Sequence, residues 1–155
     1  MADRRLTLLN VGDIILGPDP ERHFEHVAEI LKKEDLKVGQ LEVTHTSRVE
    51  SCLEWGRIPE NLSPLKTHGF NLVTMAGNHL MDAGVEGLED TTAWLKENGI
   101  GYVGAGMTLD EARKPVILEE KGTRIGYLNY NCVGPKSTWA SANKPGCPYL
   151  EIITH

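Results

Sequence analysis

Residues 71–84 read Asn-Leu-Val-Thr-Met-Ala-Gly-Asn-His-Leu-Met-Asp-Ala-Gly. The apolar run at 71–75 is typical of a buried strand, and Gly77 ends it. A helix is predicted directly afterwards, over 85–97, where apolar residues recur at helical spacing. A strand, a polar turn and a helix in this order form part of a βαβ unit, which predicts a parallel sheet.

The same alternation extends along the chain in both directions. Strands are predicted at 5–11, 36–43, 71–75 and 100–103, and helices at 20–33, 63–68 and 85–97. The segment 44–60 is polar and has no clear period. A β-hairpin is predicted at 116–130 with its turn at Lys121-Gly122, followed by a loop at 133–148 and a last strand at 149–154. The predicted fold class is α/β in a single domain over 1–155, with helices packed on a parallel sheet.

Composition narrows the possible functions. The chain has 155 residues, with 16 Lys and Arg against 22 Asp and Glu, and a net charge of −6. This balance argues against nucleic-acid binding, which needs a basic surface. No apolar run approaches the roughly 18 residues of a membrane span, and no signal peptide is recognisable. Three widely spaced cysteines fit reduced thiols, so we expect a cytoplasmic location.

Polar residues follow successive strands of the predicted sheet. Asp13 follows the first strand, Glu42 ends the second, and Asn78 and His79 follow the third, with Asp82 three residues later. Ligands of open α/β sheets bind beyond the carboxyl ends of the strands, so these side chains are candidates for one site. Oxygen and imidazole donors suit Mn, Fe, Zn or Mg.

Each of these residues also has a plain structural interpretation. Asp13 and Asp82 are common turn or helix-capping residues, Glu42 fits a solvated charge, and His79 fits a structural hydrogen-bonding role. Their shared position at equivalent strand ends favours a functional site. The Gly-x-Gly-x-x-Gly pattern at 99–104 does not indicate nucleotide binding, because its glycines follow a helix and enclose a strand.

Several stretches carry a resemblance to a known family. They are Val-Gly-Asp-Ile-Ile-Leu-Gly at 11–17, Leu-Glu at 41–42, Gly-Asn-His-Leu-Met-Asp-Ala-Gly-Val-Glu-Gly-Leu at 77–88 and Gly-Tyr-Val-Gly-Ala-Gly at 101–106. Together they resemble the bacterial capsule-synthesis CapA family, the poly-gamma-glutamate capsule group of the calcineurin-like metallophosphoesterase superfamily. The resemblance extends from Leu6 to about Tyr130, and the GNHxxDxGxxG block is its most specific part.

The resemblance implies an α/β/β/α sandwich that holds two divalent metal ions. By it, Asp13, Glu42 and Asn78 match metal-ligand positions. His79 matches the imidazole that assists the leaving group or the bound phosphate, and Asp82 matches its partner.

Two features depart from the superfamily pattern. Ile15 stands where the superfamily usually has the histidine of an Asp-x-His motif, as is usual in the capsule branch. The further histidine ligands have no counterpart after Tyr130, apart from His155 at the terminus. We therefore expect a domain that is incomplete at its C-terminus.

Three functions remain open from the sequence. The first is a metal-dependent hydrolase, phosphoesterase-like, that acts on an anionic small-molecule or polymer substrate in capsule or poly-gamma-glutamate biosynthesis. The second is a non-catalytic metal- or polyanion-binding subunit of a cell-surface polymer system, and the third is an α/β fragment whose function lies in a missing half. We expect weak metal binding and little hydrolysis from the chain alone. We also expect self-association, or a second polypeptide, to complete the second sheet, which the hairpin at 116–130 and the strand at 149–154 only begin.

Overall fold

The fold is organised around a four-stranded parallel sheet. The computed structural model describes residues 5–151, and its first four strands are β1 (Leu8–Ile14), β2 (Leu36–Leu41), β3 (Leu72–Thr74) and β4 (Gly101–Val103). They lie in the order β1-β2-β3-β4, and every adjacent pair is parallel. The predicted α/β class with a parallel sheet is confirmed, and it is consistent with a metallophosphoesterase-like α/β fold.

Helical segments connect and cover the strands. The α-helices are α1 (Ala28–Leu31), α2 (Glu50–Glu54), α3 (Ser63–Thr67), α4 (Gly84–Glu97) and α5 (Leu109–Ala112). Short 3-10 helices lie at Pro20–Phe24, Pro59–Leu62 and Lys136–Thr138. The longest helix, α4, turns Leu88 and Leu95 into the core, as the helical spacing predicts. None of the helices in residues 5–151 has the length and apolar character needed to cross a membrane.

Two apolar clusters cover opposite faces of the sheet. The larger includes Val73 together with side chains from α3 and α4, and the smaller joins Leu72 to residues of the C-terminal hairpin. Leu72 and Val73 are neighbours on β3, and successive side chains of a strand point to opposite faces. Both faces of β3 are therefore buried, which explains why this strand is apolar throughout.

The hairpin consists of β5 (Val116–Glu120) and β6 (Thr123–Tyr127), which pair antiparallel. Its two turn residues, Lys121 and Gly122, have φ values of 50° and 75°. Two consecutive positive φ values match the right-handed twist of the flanking strands. The Nζ atom of Lys121 donates to Oδ2 of Asp35 at 2.7 Å and ties the hairpin to the sheet. The predicted hairpin is confirmed, although β6 ends before residue 130.

Local helix geometry differs from the sequence prediction at two places. The predicted single helix at 20–33 is wrong, because Val27 has a φ of −113° and separates the 3-10 segment Pro20–Phe24 from α1. The prediction that 44–60 is irregular missed α2 (Glu50–Glu54), which buries only Cys52. An apolar period cannot be detected in a helix with one buried residue.

The predicted last strand at 149–154 falls partly outside the described residues. Within them, Tyr149 forms an isolated parallel bridge with Asn131. The predicted loop at 133–148 has no named strand and contains the 3-10 turn Lys136–Thr138. Isolated bridges also pair Trp139 with Cys147 and Ser141 with Lys144.

Candidate functional site

Three consecutive strands end at one edge of the sheet. β1 ends at Ile14, β2 at Leu41 and β3 at Thr74. The register pairs Asp13 with Gln40 and Gln40 with Thr74, so the last residues of the three strands are aligned. Glu42, Asn78 and His79 follow these strand ends, at the edge where open α/β sheets bind ligands. The prediction that Asp13 follows the first strand is wrong, because β1 continues past residue 11 and Asp13 lies within it, paired with Gln40.

Glu42 lies at the centre of this edge and is half-buried. A methyl group added at Gly77 would lie 3.3 Å from its Oε2 atom, so the backbone of Gly77 passes close to the carboxylate. Burial raises the pKa of Glu42, the negative charge of Asp13 raises it further, and the imidazole of His79 opposes this rise. The structure thus brings Asp13, Glu42 and His79 within electrostatic range of one another.

His79 and Asp82 form a local pair. The Nδ1 atom of His79 lies 2.7 Å from Oδ2 of Asp82, and both side chains are about half exposed. Because the Asp82 carboxylate accepts from Nδ1–H, the Nε2 atom of His79 is directed away from Asp82. This arrangement places a proton acceptor, or a donor when the ring is protonated, at the open side of the site.

Asn78 lies between Gly77 and His79 on the same loop, and its side chain is exposed. Within residues 5–151 no group of three or more His, Cys, Asp or Glu side chains is arranged to hold a metal ion. The ligand roles assigned to Asp13, Glu42 and Asn78 remain predictions.

Two supporting residues were missed by the sequence analysis. The Oδ1 atom of Asn129 accepts hydrogen bonds from the backbone amides of Met75 and Ala76, at 3.0 and 2.6 Å. This bond fixes the chain where β3 turns into the loop that carries His79. Its signal in the sequence is a polar residue in the otherwise apolar run after β6.

The second supporting residue is Gln40. Its Oε1 atom accepts from the hydroxyl of Thr74 at 2.6 Å, and its amide hydrogen-bonds to Glu42 and holds down the pKa of that carboxyl. A polar residue in the middle of an apolar strand was the available signal. Gln40 therefore orients Glu42 across two neighbouring strands.

The segment after Glu42 is fixed against α4 by a network of charged groups. The guanidinium of Arg48 donates to both carboxylate oxygens of Asp90, to Glu89 and to the carbonyl of Glu86, at 2.8 to 3.0 Å. The Thr46 hydroxyl donates to Asp90 as well. These bonds fix residues 44–57 against α4, beside the candidate site.

The donor set at the strand ends fits a divalent cation. The Asp13 and Glu42 carboxylates lie close enough that the charge of Asp13 raises the pKa of Glu42. A bound cation would offset the repulsion between these two charges. Carboxylate and amide oxygens suit Mg, Mn, Fe or Zn and do not select among them.

Comparison with known proteins identifies the family. The sequence profile described as "Bacterial capsule synthesis protein PGA_cap" matches residues 7–150. The chain belongs to this family. The match spans β1 to the segment beyond the hairpin, so the PGA_cap assignment covers every residue of the candidate site.

Individual relatives agree with the PGA_cap assignment. The chain is 27% identical to "Capsule biosynthesis protein CapA" of Bacillus anthracis, over 93% of this chain and 39% of the relative. It is 29% identical to "PGA biosynthesis protein CapA" of Bacillus subtilis, over 94% of this chain and 42% of the relative. A "Probable polyglutamine synthesis accessory protein" of Mycobacterium tuberculosis is 33% identical over 57% of this chain and 24% of the relative. The chain therefore spans about two fifths of the length of the two CapA relatives.

Proposed function

We propose that this chain contributes the strand-end part of a metal-dependent, phosphoesterase-like hydrolase site that acts in capsule or poly-gamma-glutamate polymer synthesis. The observation that carries the proposal is the convergence of Asp13, Glu42 and the His79–Asp82 pair at the carboxyl edge of the sheet. The names of the CapA relatives support the polymer context. An anionic small molecule or polymer is the proposed substrate.

Asp13, Glu42 and Asn78 would hold the divalent metal, and two ions are proposed by resemblance. When bound, such ions polarise an anionic substrate and lower the pKa of bound water. Within the chain itself, Gly77 allows the loop to approach Glu42, and Gln40 orients its carboxylate. These contacts set the position of the donors before any ligand binds.

The proposed role of His79 is to transfer a proton or contact a substrate oxygen through Nε2. Asp82 holds the ring through Nδ1 and so fixes its orientation. A protonated His79 would donate from Nε2 to the leaving group as a general acid. Asp82 also stabilises the charged imidazolium in that state.

The test is hydrolysis of p-nitrophenyl phosphate with Mn²⁺, with and without chelator, together with Mn²⁺ binding measured by calorimetry. Glu42→Gln and Asp13→Ala should each weaken Mn²⁺ binding at least about tenfold. Glu97→Gln, at an exposed site at the end of α4, is the matched control and should leave the affinity unchanged. Unchanged Mn²⁺ affinity in Glu42→Gln would contradict the proposed ligand role.

His79→Gln separates proton transfer from metal binding. It should lower turnover by about 10²-fold or more, the usual contribution of a general acid, and leave Mn²⁺ affinity nearly unchanged. An equal loss of turnover and of Mn²⁺ affinity would make His79 a metal ligand instead.

The second candidate function is a non-catalytic metal- or polyanion-binding subunit. The Mycobacterium relative, whose printed name describes an accessory protein, favours this alternative. Mn²⁺ binding without chelator-sensitive turnover would support it.

We also propose that the β1 edge of the sheet associates with a second copy or with another polypeptide. Within the described residues, β1 pairs with β2 alone. Beside β1 lies a cavity of about 510 Å³ lined mainly by apolar residues. Two of these, Val27 and Ile30, are 42% and 52% exposed. An unpaired edge next to exposed apolar side chains is a ready surface for strand addition.

Light scattering during size exclusion tests this association. The wild-type mass should rise with protein concentration, and Ile30→Lys should abolish the rise. Leu53→Lys is the matched control, because Leu53 is 54% exposed but lies on α2. A monomeric wild-type mass at every concentration would contradict self-association.

A further inference from the structure

A second cavity lies beside the His79–Asp82 pair, and of its lining residues only Asp82 has a part in the function proposed above. It has a volume of about 310 Å³, and its lining includes Trp55, Arg57, Ser51 and Asp82. Asp82 therefore faces both the strand-end site and this cavity. Asp82 is the residue that the cavity shares with the His79–Asp82 pair.

Arg57 supplies a cation that the protein does not neutralise. Its guanidinium is half-buried and lies 5.7 Å from the centre of the Trp55 ring. Among residues 5–151 no carboxylate forms an ion pair with it. An unpaired guanidinium in a cavity presents a planar set of donors that matches a carboxylate or a phosphate.

The turn that carries these two residues is held rigidly. The Arg57 carbonyl accepts from the Thr46 amide at 2.9 Å, and the Arg57 amide donates to the Cys52 carbonyl at 2.7 Å. The intervening Gly56 has a φ of 63°, and its carbonyl accepts from the side chain of Asn61 at 2.6 Å. Preorganisation of this kind lowers the ordering cost of binding.

Trp55 is the most prominent aromatic residue at this cavity. Its side chain is 65% exposed although the ring is large and apolar. Exposed aromatic side chains beside an unpaired arginine are typical of binding surfaces, where the ring packs on apolar parts of a ligand.

The cavity lining also includes a group of the complementary charge. The carboxylate of Asp82 uses Oδ2 to bind His79, and no hydrogen bond to its Oδ1 atom is formed within residues 5–151. The charges of Arg57 and Asp82 both act on the buried thiol of Cys52, whose pKa is raised mainly by burial. The cavity thus offers both cationic donors and an anionic acceptor.

We propose that this cavity is a subsite for a carboxylate that lies next to an amide N–H, as in an N-acyl amino acid unit. Arg57 binds the carboxylate, Asp82 accepts the N–H, and Trp55 covers the aliphatic part of the unit. The inference rests on the proposed function, since it places a repeating unit of an anionic polymer next to His79. It assigns the recognition of that unit to residues outside the proposed metal ligands.

The test is an NMR titration of the full chain in the presence of chelator, monitored at the indole Nε1–H of Trp55 and the amide of Arg57. The probes are N-acetyl-L-glutamate, acetate and inorganic phosphate. N-acetyl-L-glutamate should shift both signals saturably and bind more tightly than the other two. Arg57→Gln should raise its Kd about tenfold, in line with the loss of a charge-assisted hydrogen-bonded pair.

Two further variants control for folding and for charge. Arg57→Lys keeps the cation without the planar fork and should give an intermediate Kd. Arg113→Gln removes an exposed arginine that pairs with Asp110, and it should leave the titration unchanged.

The proposal is overturned by any one of three outcomes. These are the absence of saturable shifts in the wild type, equal affinity in Arg57→Gln, and phosphate binding as tight as that of N-acetyl-L-glutamate. The titration contains no metal and measures no turnover, so its failure leaves the Mn²⁺-dependent hydrolysis test standing. Failure of the hydrolysis test likewise leaves the NMR titration a valid test of the subsite.

Discussion

Protonation of His45 should make the fold sensitive to acid. His45 is fully buried, and its Nε2–H donates to the carbonyl of Leu16 at 3.1 Å. Its Nδ1 atom is buried and has no hydrogen-bond partner among the described residues. Burial lowers the pKa of His45 from 6.5 to about 4. The unfolded chain therefore takes up a proton on this ring at a higher pH than the folded chain does.

The direction of the effect follows from this difference. Above pH 6.5 both states carry a neutral ring, and His45 contributes no pH dependence. As the pH falls, the unfolded state gains the proton first, so stability decreases until the folded ring also protonates near pH 4. Between pH 7.5 and 4.5 the expected loss from His45 is about 2–3 kcal/mol.

The assay is urea denaturation at a series of pH values, comparing the wild type with His45→Gln. Glutamine keeps an N–H donor for the Leu16 carbonyl but does not titrate in this range. The variant should be less stable than the wild type at pH 7.5, and this difference should shrink by about 2–3 kcal/mol at pH 4.5. His26→Gln, at an exposed site, should leave the pH profile unchanged. Parallel stability profiles for the wild type and His45→Gln would refute the reasoning.

Three further predictions concern the surroundings of the site. Asn129→Ala should lower the free energy of unfolding by about 1–3 kcal/mol, measured by urea denaturation, because two backbone amides lose their acceptor. Arg48→Gln should increase proteolysis and amide exchange within 44–57, because the bonds to α4 are lost. Asp13→Asn should lower the pKa of Glu42, followed by carboxyl ¹³C NMR, because it removes the neighbouring negative charge.

Each of these predictions has a control and an outcome that would contradict it. Asn143→Ala removes an exposed loop asparagine, and stability as low as that of Asn129→Ala would make the Asn129 effect non-specific. Arg113→Gln should leave the protection of residues 44–57 against proteolysis and amide exchange unchanged. The same protection in Arg48→Gln as in the wild type would show that the Arg48 hydrogen bonds do not hold this segment. Asp110→Asn should not move the Glu42 titration. A Glu42 pKa that is insensitive to Asp13→Asn would mean that the two carboxylates do not interact.

Features determined by nearby residues were predictable from the sequence. The alternation of strands and helices gave the parallel sheet, since apolar periodicity is a local signal. The hairpin follows from Lys121-Gly122 between two alternating runs, and the His79–Asp82 pair from three-residue spacing on one turn. Placing Asp13 and Glu42 at neighbouring strand ends followed from the parallel order of strands.

Features that depend on distant residues were decided by the tertiary structure. Asn129 binds the end of β3 across 54 residues of sequence, and His45 is buried against Leu16 across 29. The cavity at Arg57 forms where α2 meets the start of α4, although α2 has no periodic signal. A sequence pattern reports the preference of each segment for a helix or a strand. Which side chains meet is set by how the segments pack, because burial and charge depend on neighbours that lie far apart along the chain.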